Sequence, residues 1–160
     1  MNLQEDILRI KEVMGIKETF DKGGEPVLVN EYMDFDDKIY IYKLPSKKSE
    51  KDYIIKLKFY KKSPIIDGEF ANLKNVAEMD FNLGTGDYEY TGLNEIFYLF
   101  TSINKVIDKH KKDFKYFIVH STQDRLSLYE KVLSKLSYLS IIDKKDSYLL
   151  YKNKNYSRWF

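Results

Sequence analysis

In the stretch DYEYTGLNEIFYLF, residues 87–100, a Thr-Gly pair separates strand-like sequence from a long apolar helix. Thr91, Gly92, Leu93 and Asn94 would there offer main-chain N–H groups at a helix N-terminus, where unpaired donors and the helix dipole attract an anion such as phosphate. The same residues also make a plain corner, in which Thr91 caps the helix and Glu95 occupies its first, acid-favouring turn. A second group of reactive types lies in NVAEMDF, residues 75–81, where Glu78 and Asp80 share one side of a strand and Ala77, Met79 and Phe81 the other. Those carboxylates could face Lys56 and Lys58 across a sheet as simple charge partners. His110 and His120 are the only histidines and cysteine is absent, while no H-E-x-x-H or EF-hand spacing occurs. No metal is expected. G-T-G-D, residues 84–87, lacks the continuation of a P-loop or a dinucleotide fingerprint and reads as a turn. IIKLKFYKK, residues 54–62, mixes lysine and aromatics as a base-stacking surface does, and as half-buried strands also do.

The totals bound what these residues can serve. A chain of 160 residues matches one domain and can bury a real core. Hydrophobic residues at 43%, with fourteen Tyr and ten Phe, exclude a disordered chain despite 32% charge. The balance of 27 basic against 25 acidic residues leaves +2, so no whole-molecule field calls for nucleic acid. Absence of cysteine removes disulfides and thiolate nucleophiles and fits an intracellular or virion setting. The N-terminal MNLQEDILRIKEVMG carries acidic residues and no continuous apolar core, and no apolar run reaches the ~18 residues that span a bilayer, so neither a signal peptide nor a membrane span is expected. Abundant Lys, Ile, Tyr and Asn with scarce Ala suggest an AT-rich genome, that of a low-GC bacterium or its phage.

The elements that must position the candidates follow from hydrophobic period. Leu3, Ile7, Ile10 and Met14 recur at helical spacing after Asn2, and Gly15 stops that helix. DKGGEP is a turn, and VLVNEY after it reads as a short strand. KIYIYKL and DYIIKLKFY alternate as strands, predicting an antiparallel hairpin with one wet side that carries Lys56 and Lys58. NVAEMDF is a third strand. From Gly92 a helix carries Leu93, Ile96, Phe97, Phe100, Ile103 and Ile107 on one stripe and ends in the basic DKHKKDFK, where a cation such as His110 is favoured. FKYFIVH is a nearly continuous apolar run of strand length, as a central strand covered on both faces would be. Ser121 or Thr122 begins a second helix with Asp124 at capping-box spacing and Leu126, Tyr129, Leu133 and Leu136 along a face. LSIIDKKDSYLLY closes the domain as a hairpin. A crossover helix between two strands implies a parallel pair inside an otherwise antiparallel sheet.

This order resembles the GNAT acyltransferase fold, with YTGLNEIFYLF at the place of its Q/R-x-x-G-x-G/A turn and SLYEKVLSKL, residues 127–136, at the place of its LYEKLGF helix. A further likeness is to phage proteins of GNAT-like pattern, carried by Thr91, Gly92, Asn94, Phe97 and Phe100 and then Ser121, Arg125, Leu128 and Tyr129. The resemblance implies that amides at Thr91, Gly92, Leu93 and Asn94 hold the pyrophosphate of an acyl-coenzyme A. It implies that Tyr129 protonates the departing thiolate, and that Glu78 or Asp80 is a general base. The chain departs from the pattern: Glu89 stands where the family has Arg or Gln, Asn94 where it has Gly or Ala, and Val132-Leu133 where Gly-Phe closes the helix motif. H-S-T at His120 resembles half of the paired signature of two-histidine phosphoesterases, but His110 is followed by Lys-Lys.

The expectation is therefore a mixed α/β (α+β) domain of GNAT-like topology over residues 1–152, mostly antiparallel, with a tail over 153–160. Its function is expected to be that of a phage-encoded accessory or binding protein in the host cytoplasm or virion, without cofactor and without acyl transfer. An acetyl-CoA-dependent N-acetyltransferase is the alternative, and a nucleic-acid-binding accessory the third. Tyr156, Trp159 and Phe160 offer an aromatic contact for a protein partner or another copy.

Overall fold

The computed structural model describes residues 23–45, 52–61, 68–70, 72–83 and 93–157. The helix expected over residues 3–14, the turn holding Thr91 and Gly92, and Trp159 and Phe160 lie outside the described residues. In chain order the elements are β1 (Val27–Asp34), β2 (Asp37–Pro45), β3 (Asp52–Tyr60), a 3-10 turn (Gly68–Phe70), β4 (Val76–Leu83), α1 (Leu93–Lys109), β5 (Tyr116–His120), α2 (Gln123–Leu133), β6 (Leu139–Lys144) and β7 (Tyr148–Asn153). The strands form one seven-stranded sheet in the order β1-β2-β3-β4-β5-β7-β6. Among the described residues only β4 and β5 pair in parallel; α1 is the crossover between them.

The period-2 pattern decides the faces. Tyr53, Ile55 and Leu57 of β3 are buried with Ala77 and Met79 of β4, Phe117 and Val119 of β5 and Leu149 and Tyr151 of β7. Both helices contribute to that same core. Leu99, Phe100, Ile103, Val106 and Ile107 of α1 and Leu126, Tyr129, Val132 and Leu133 of α2 are buried in it. At about 1.5–3 kcal/mol for each large apolar side chain removed from water, this layer is the main source of stability.

The other face is drier than expected. Ile39, whose cross-strand partner is Lys58, is 1% exposed, and Val76, Ile118, Tyr148 and Leu150 form a second cluster against Phe70, Leu73 and Tyr116. The side of the β2–β3 hairpin predicted to be wet is therefore partly buried, and the segment that follows β3 covers the adjoining part of the same face over β4, β5 and β7. β1 lies at the sheet edge with all eight residues exposed, bulged between Leu28 and Asn30.

Local contacts fix the ends of the elements. Thr122 caps α2 with extended backbone and no side-chain hydrogen bond, so the expected capping box contributes only the charge of Asp124 in the first turn. Gly24 donates its N–H to Ser102 Oγ at 2.7 Å, and Lys105 Nζ reaches Gly24 O and Glu25 Oε1, docking the entry to β1 on α1. Asn153, the last residue of β7, donates to the carbonyls of Lys111 and Phe114, both at 2.7 Å. That side chain ties the end of the sheet to the loop before β5.

Candidate functional site

β4 and β5 pair at only three positions, Val76↔Tyr116, Ala77↔Phe117 and Glu78↔Ile118. Beyond them β4 continues along β3 as far as Tyr53↔Leu83, and β5 along β7 as far as His120↔Tyr148. The parallel ladder thus stops while each strand runs on with its other neighbour. In sheets with parallel strands, the region beyond their carboxyl ends is where ligands bind.

On the face away from the helices, this end is bridged by side chains. His120 Nδ1 lies 2.6 Å from Glu78 Oε2, and Tyr60 donates its hydroxyl to Glu78 Oε1 at 3.0 Å. The Tyr148 ring stands edge-on to His120 at 5.9 Å. With the carboxylate accepting from Nδ1–H, the neutral imidazole carries no proton on Nε2. Burial pulls the Glu78 carboxyl upward, but hydrogen bonds from His120 and Tyr60 and the charges of His120 and Lys58 outweigh it, leaving Glu78 below the usual carboxylate range. Burial and then the Glu78 charge push the Tyr60 phenol well up, so Tyr60 stays a donor.

The lysines behave differently from expectation. The register does place Lys58 opposite Glu78 and Lys56 opposite Asp80. Yet Lys58 Nζ pairs with Asp37 Oδ2 at 3.7 Å and sits 4.8 Å from the Tyr60 ring centre, while both oxygens of Glu78 are engaged elsewhere. Asp80 Oδ1 accepts the Phe81 N–H at 2.9 Å on the exposed side of β4.

Tyr129 belongs to the opposite face. It is 9% exposed, with its ring 5.5 Å from Phe100 and 6.0 Å from Phe81, and Phe81 and Phe100 are 5.9 Å apart. All three pairs meet edge to face, the arrangement aromatic rings prefer in a core. Because side chains alternate along β4, Phe81 joins this cluster while Glu78 and Asp80 point the other way. The proposed acid and the proposed bases are therefore separated by the sheet. Leu93 and Asn94 open α1, and Thr91 and Gly92 are outside the described residues.

His110 is a core histidine rather than a helix-end cation. It is 8% exposed, bonded to the Tyr42 hydroxyl through Nε2 at 2.7 Å and to Asp113 Oδ2 through Nδ1 at 3.1 Å, with the Tyr40 ring 4.5 Å away. Burial pushes its pKa down, against the pull of Asp113. His120 is the residue the sequence undervalued: its signal was a polar H-S-T ending an apolar strand, and its partner stands 42 positions earlier.

Among the described residues, no group of three His, Cys, Asp or Glu could hold a metal ion, and no helix is long and apolar enough to cross a membrane. An open depression of about 420 Å³, lined by Ser127, Glu130, Lys131, Ser134 and Lys144, lies between α2 and β6. Lys144 Nζ occupies part of it through its 2.8 Å ion pair with Glu130 Oε2. No family model, curated protein or solved structure matches the chain, so the site is read from its own residues.

Proposed function

We propose that this chain is a GNAT-like binding protein without acyl transfer, an accessory or structural component that engages a protein partner. The observation that carries this reading is the packing of Tyr129: the residue that the resemblance makes a general acid is a ring in an aromatic cluster at 9% exposure. Support for the GNAT-like topology comes from the single parallel pair, the crossover helix between its strands and the placing of Leu128-Tyr129-Glu130-Lys131 on α2. Glu89 and Asn94 support loss of the cofactor, since a carboxylate beside the phosphate turn repels what the turn would hold. The composition and the T-G-L-N and S-x-x-x-R-x-x-L-Y likeness support a phage source, with the host cytoplasm or the virion as the place of action. The test is incubation with acetyl-CoA and a panel of primary amines, following thiol release. Release no faster than in a protein-free control is expected, and amine-dependent turnover sinks the reading.

One observation favours the N-acetyltransferase instead, namely the end of the β4–β5 ladder at Glu78 while both strands continue. In that reading Tyr129 is the acid, Glu78 or Asp80 the base, and the amides following Gly92 the cofactor cradle. The nucleic-acid reading loses support, because Lys58 pairs with Asp37 and Lys61 lies 3.9 Å from Asp36 Oδ1. Two lysines of the basic stripe it needs thus face carboxylates of the β1–β2 turn region, and Lys62 lies outside the described residues.

A further inference from the structure

We infer that His120, oriented by Glu78, is a general base that activates water against an acyl ester bound on the sheet face away from the helices. This goes beyond the binding reading, and it requires neither Tyr129 nor the turn at Gly92.

The geometry supplies three parts of such a base. Its orienting carboxylate is fixed from two sides: Glu78 Oε2 holds Nδ1 at 2.6 Å and Oε1 accepts the Tyr60 hydroxyl at 3.0 Å. The imidazole is accessible, with 40% of its side chain exposed, and Nε2 has no hydrogen-bond partner among the described residues. Finally, the group sits at the end of β5, where the parallel ladder has stopped. A base held by a second group in one tautomer is the arrangement that nucleophile activation uses on unrelated folds.

The step balances without a cofactor. Water gives a proton to Nε2 as its oxygen bonds to the acyl carbon. The tetrahedral species then collapses, the ester C–O bond breaks, and the alcohol leaves with the proton returned by the imidazolium. Glu78 stabilises that imidazolium. Other charged groups on this face include Lys58, held by Asp37, Lys56 and Asp80 facing each other across β3 and β4, the Lys43–Asp52 pair, and Lys152 of β7; Asp143 accepts the hydroxyl of Tyr148 at 2.6 Å.

The probe is p-nitrophenyl acetate, with p-nitrophenolate release followed from pH 5 to 8. The histidine count helps, since the only other one, His110, is 8% exposed. His120→Asn should lower the rate by about a hundredfold, the lower end of a general-base contribution, and Glu78→Gln should lower it in kcat with KM little changed. Tyr129→Phe should leave it alone. Nitrogen NMR of the imidazole gives a second readout: in the neutral ring Nε2 should be the unprotonated nitrogen, and Glu78→Gln should lose that tautomer preference. Wild-type ester cleavage by a folded His120→Asn variant overturns the inference, as does a neutral ring protonated on Nε2. Neither result touches the binding reading, which stands or falls on acetyl-CoA and amines.

Discussion

Replacing Tyr129 separates a packing ring from a catalytic hydroxyl. Tyr129→Ala empties a site between Phe81 and Phe100 that is 9% exposed, and both ring contacts of 6.0 and 5.5 Å are lost. Large-to-small changes at aromatic core positions cost about 3–5 kcal/mol. For a chain of this size each kcal/mol lowers the melting temperature by roughly 2–4 °C, so a fall of roughly 6–20 °C is expected. Tyr129→Phe keeps the ring and both contacts; losing one hydroxyl hydrogen bond costs only about 1 kcal/mol. The assay is thermal unfolding of the three proteins followed by circular dichroism, with urea titration to confirm that the denaturant slope is unchanged. If Tyr129→Ala melts within a degree or two of wild type, the ring is not part of the core and the reasoning fails. Equal losses for Ala and Phe would place the stability in the hydroxyl instead, which the edge-to-face cluster does not allow.

Gly24→Ala should destabilise by about 1–3 kcal/mol through overpacking, because its new Cβ would lie 2.5 Å from the Tyr98 hydroxyl and 2.7 Å from Leu44 Cδ1. Tyr98 cannot yield cheaply while it donates to Pro45 O at 2.7 Å, and an unchanged urea midpoint would contradict this packing. His110 has a folded pKa below the ordinary value of about 6.5, so the unfolded chain takes the proton first. Its stabilisation is full above that value and is lost as pH falls from there toward the lowered folded value; urea midpoints from pH 8 to 5 should show this loss, and His110→Asn should remove it. Glu78 is likewise depressed, so its contribution is present above the usual carboxylate range and is lost as pH falls through its lowered folded pKa. Tyr60→Phe removes one of the hydrogen bonds that lower it, and should move that acid loss to higher pH in NMR titration of the Glu78 carboxyl.

Much of the fold was legible because single elements carry clean periods. KIYIYKL and DYIIKLKFY alternate, and the stripe through Phe100, Ile103 and Ile107 marks α1, because each of these elements turns one face to the main core, although Ile39 is buried on the opposite one. Apolar YFIVH read as central because Ile118 is buried on one side of the sheet and Phe117 and Val119 on the other. The closing hairpin was also visible, but not that β7 lies inside β6; the contrast was there in YLLY, buried throughout, against LSIID, half exposed. The site was harder, since tertiary pairing decides it. Glu78 was expected to face Lys58, which the register delivers, yet His120 arrives from the next strand and takes the carboxylate. His110 misled because its neighbours Lys109, Lys111 and Lys112 are those of a solvated helix end, while the ring itself turns into Tyr40, Tyr42 and Phe59.

Thermal unfolding with and without millimolar acetyl-CoA tests the central claim most directly. A ligand present at about 100 times its dissociation constant adds about 2.7 kcal/mol to stability, a shift of several degrees that is easily measured. We predict no shift, as befits a chain with Glu89 beside the turn and Tyr129 in the core. An upward shift that disappears in Gly92→Ile would contradict the account and make the region between β4 and β5 an acyl-coenzyme A site.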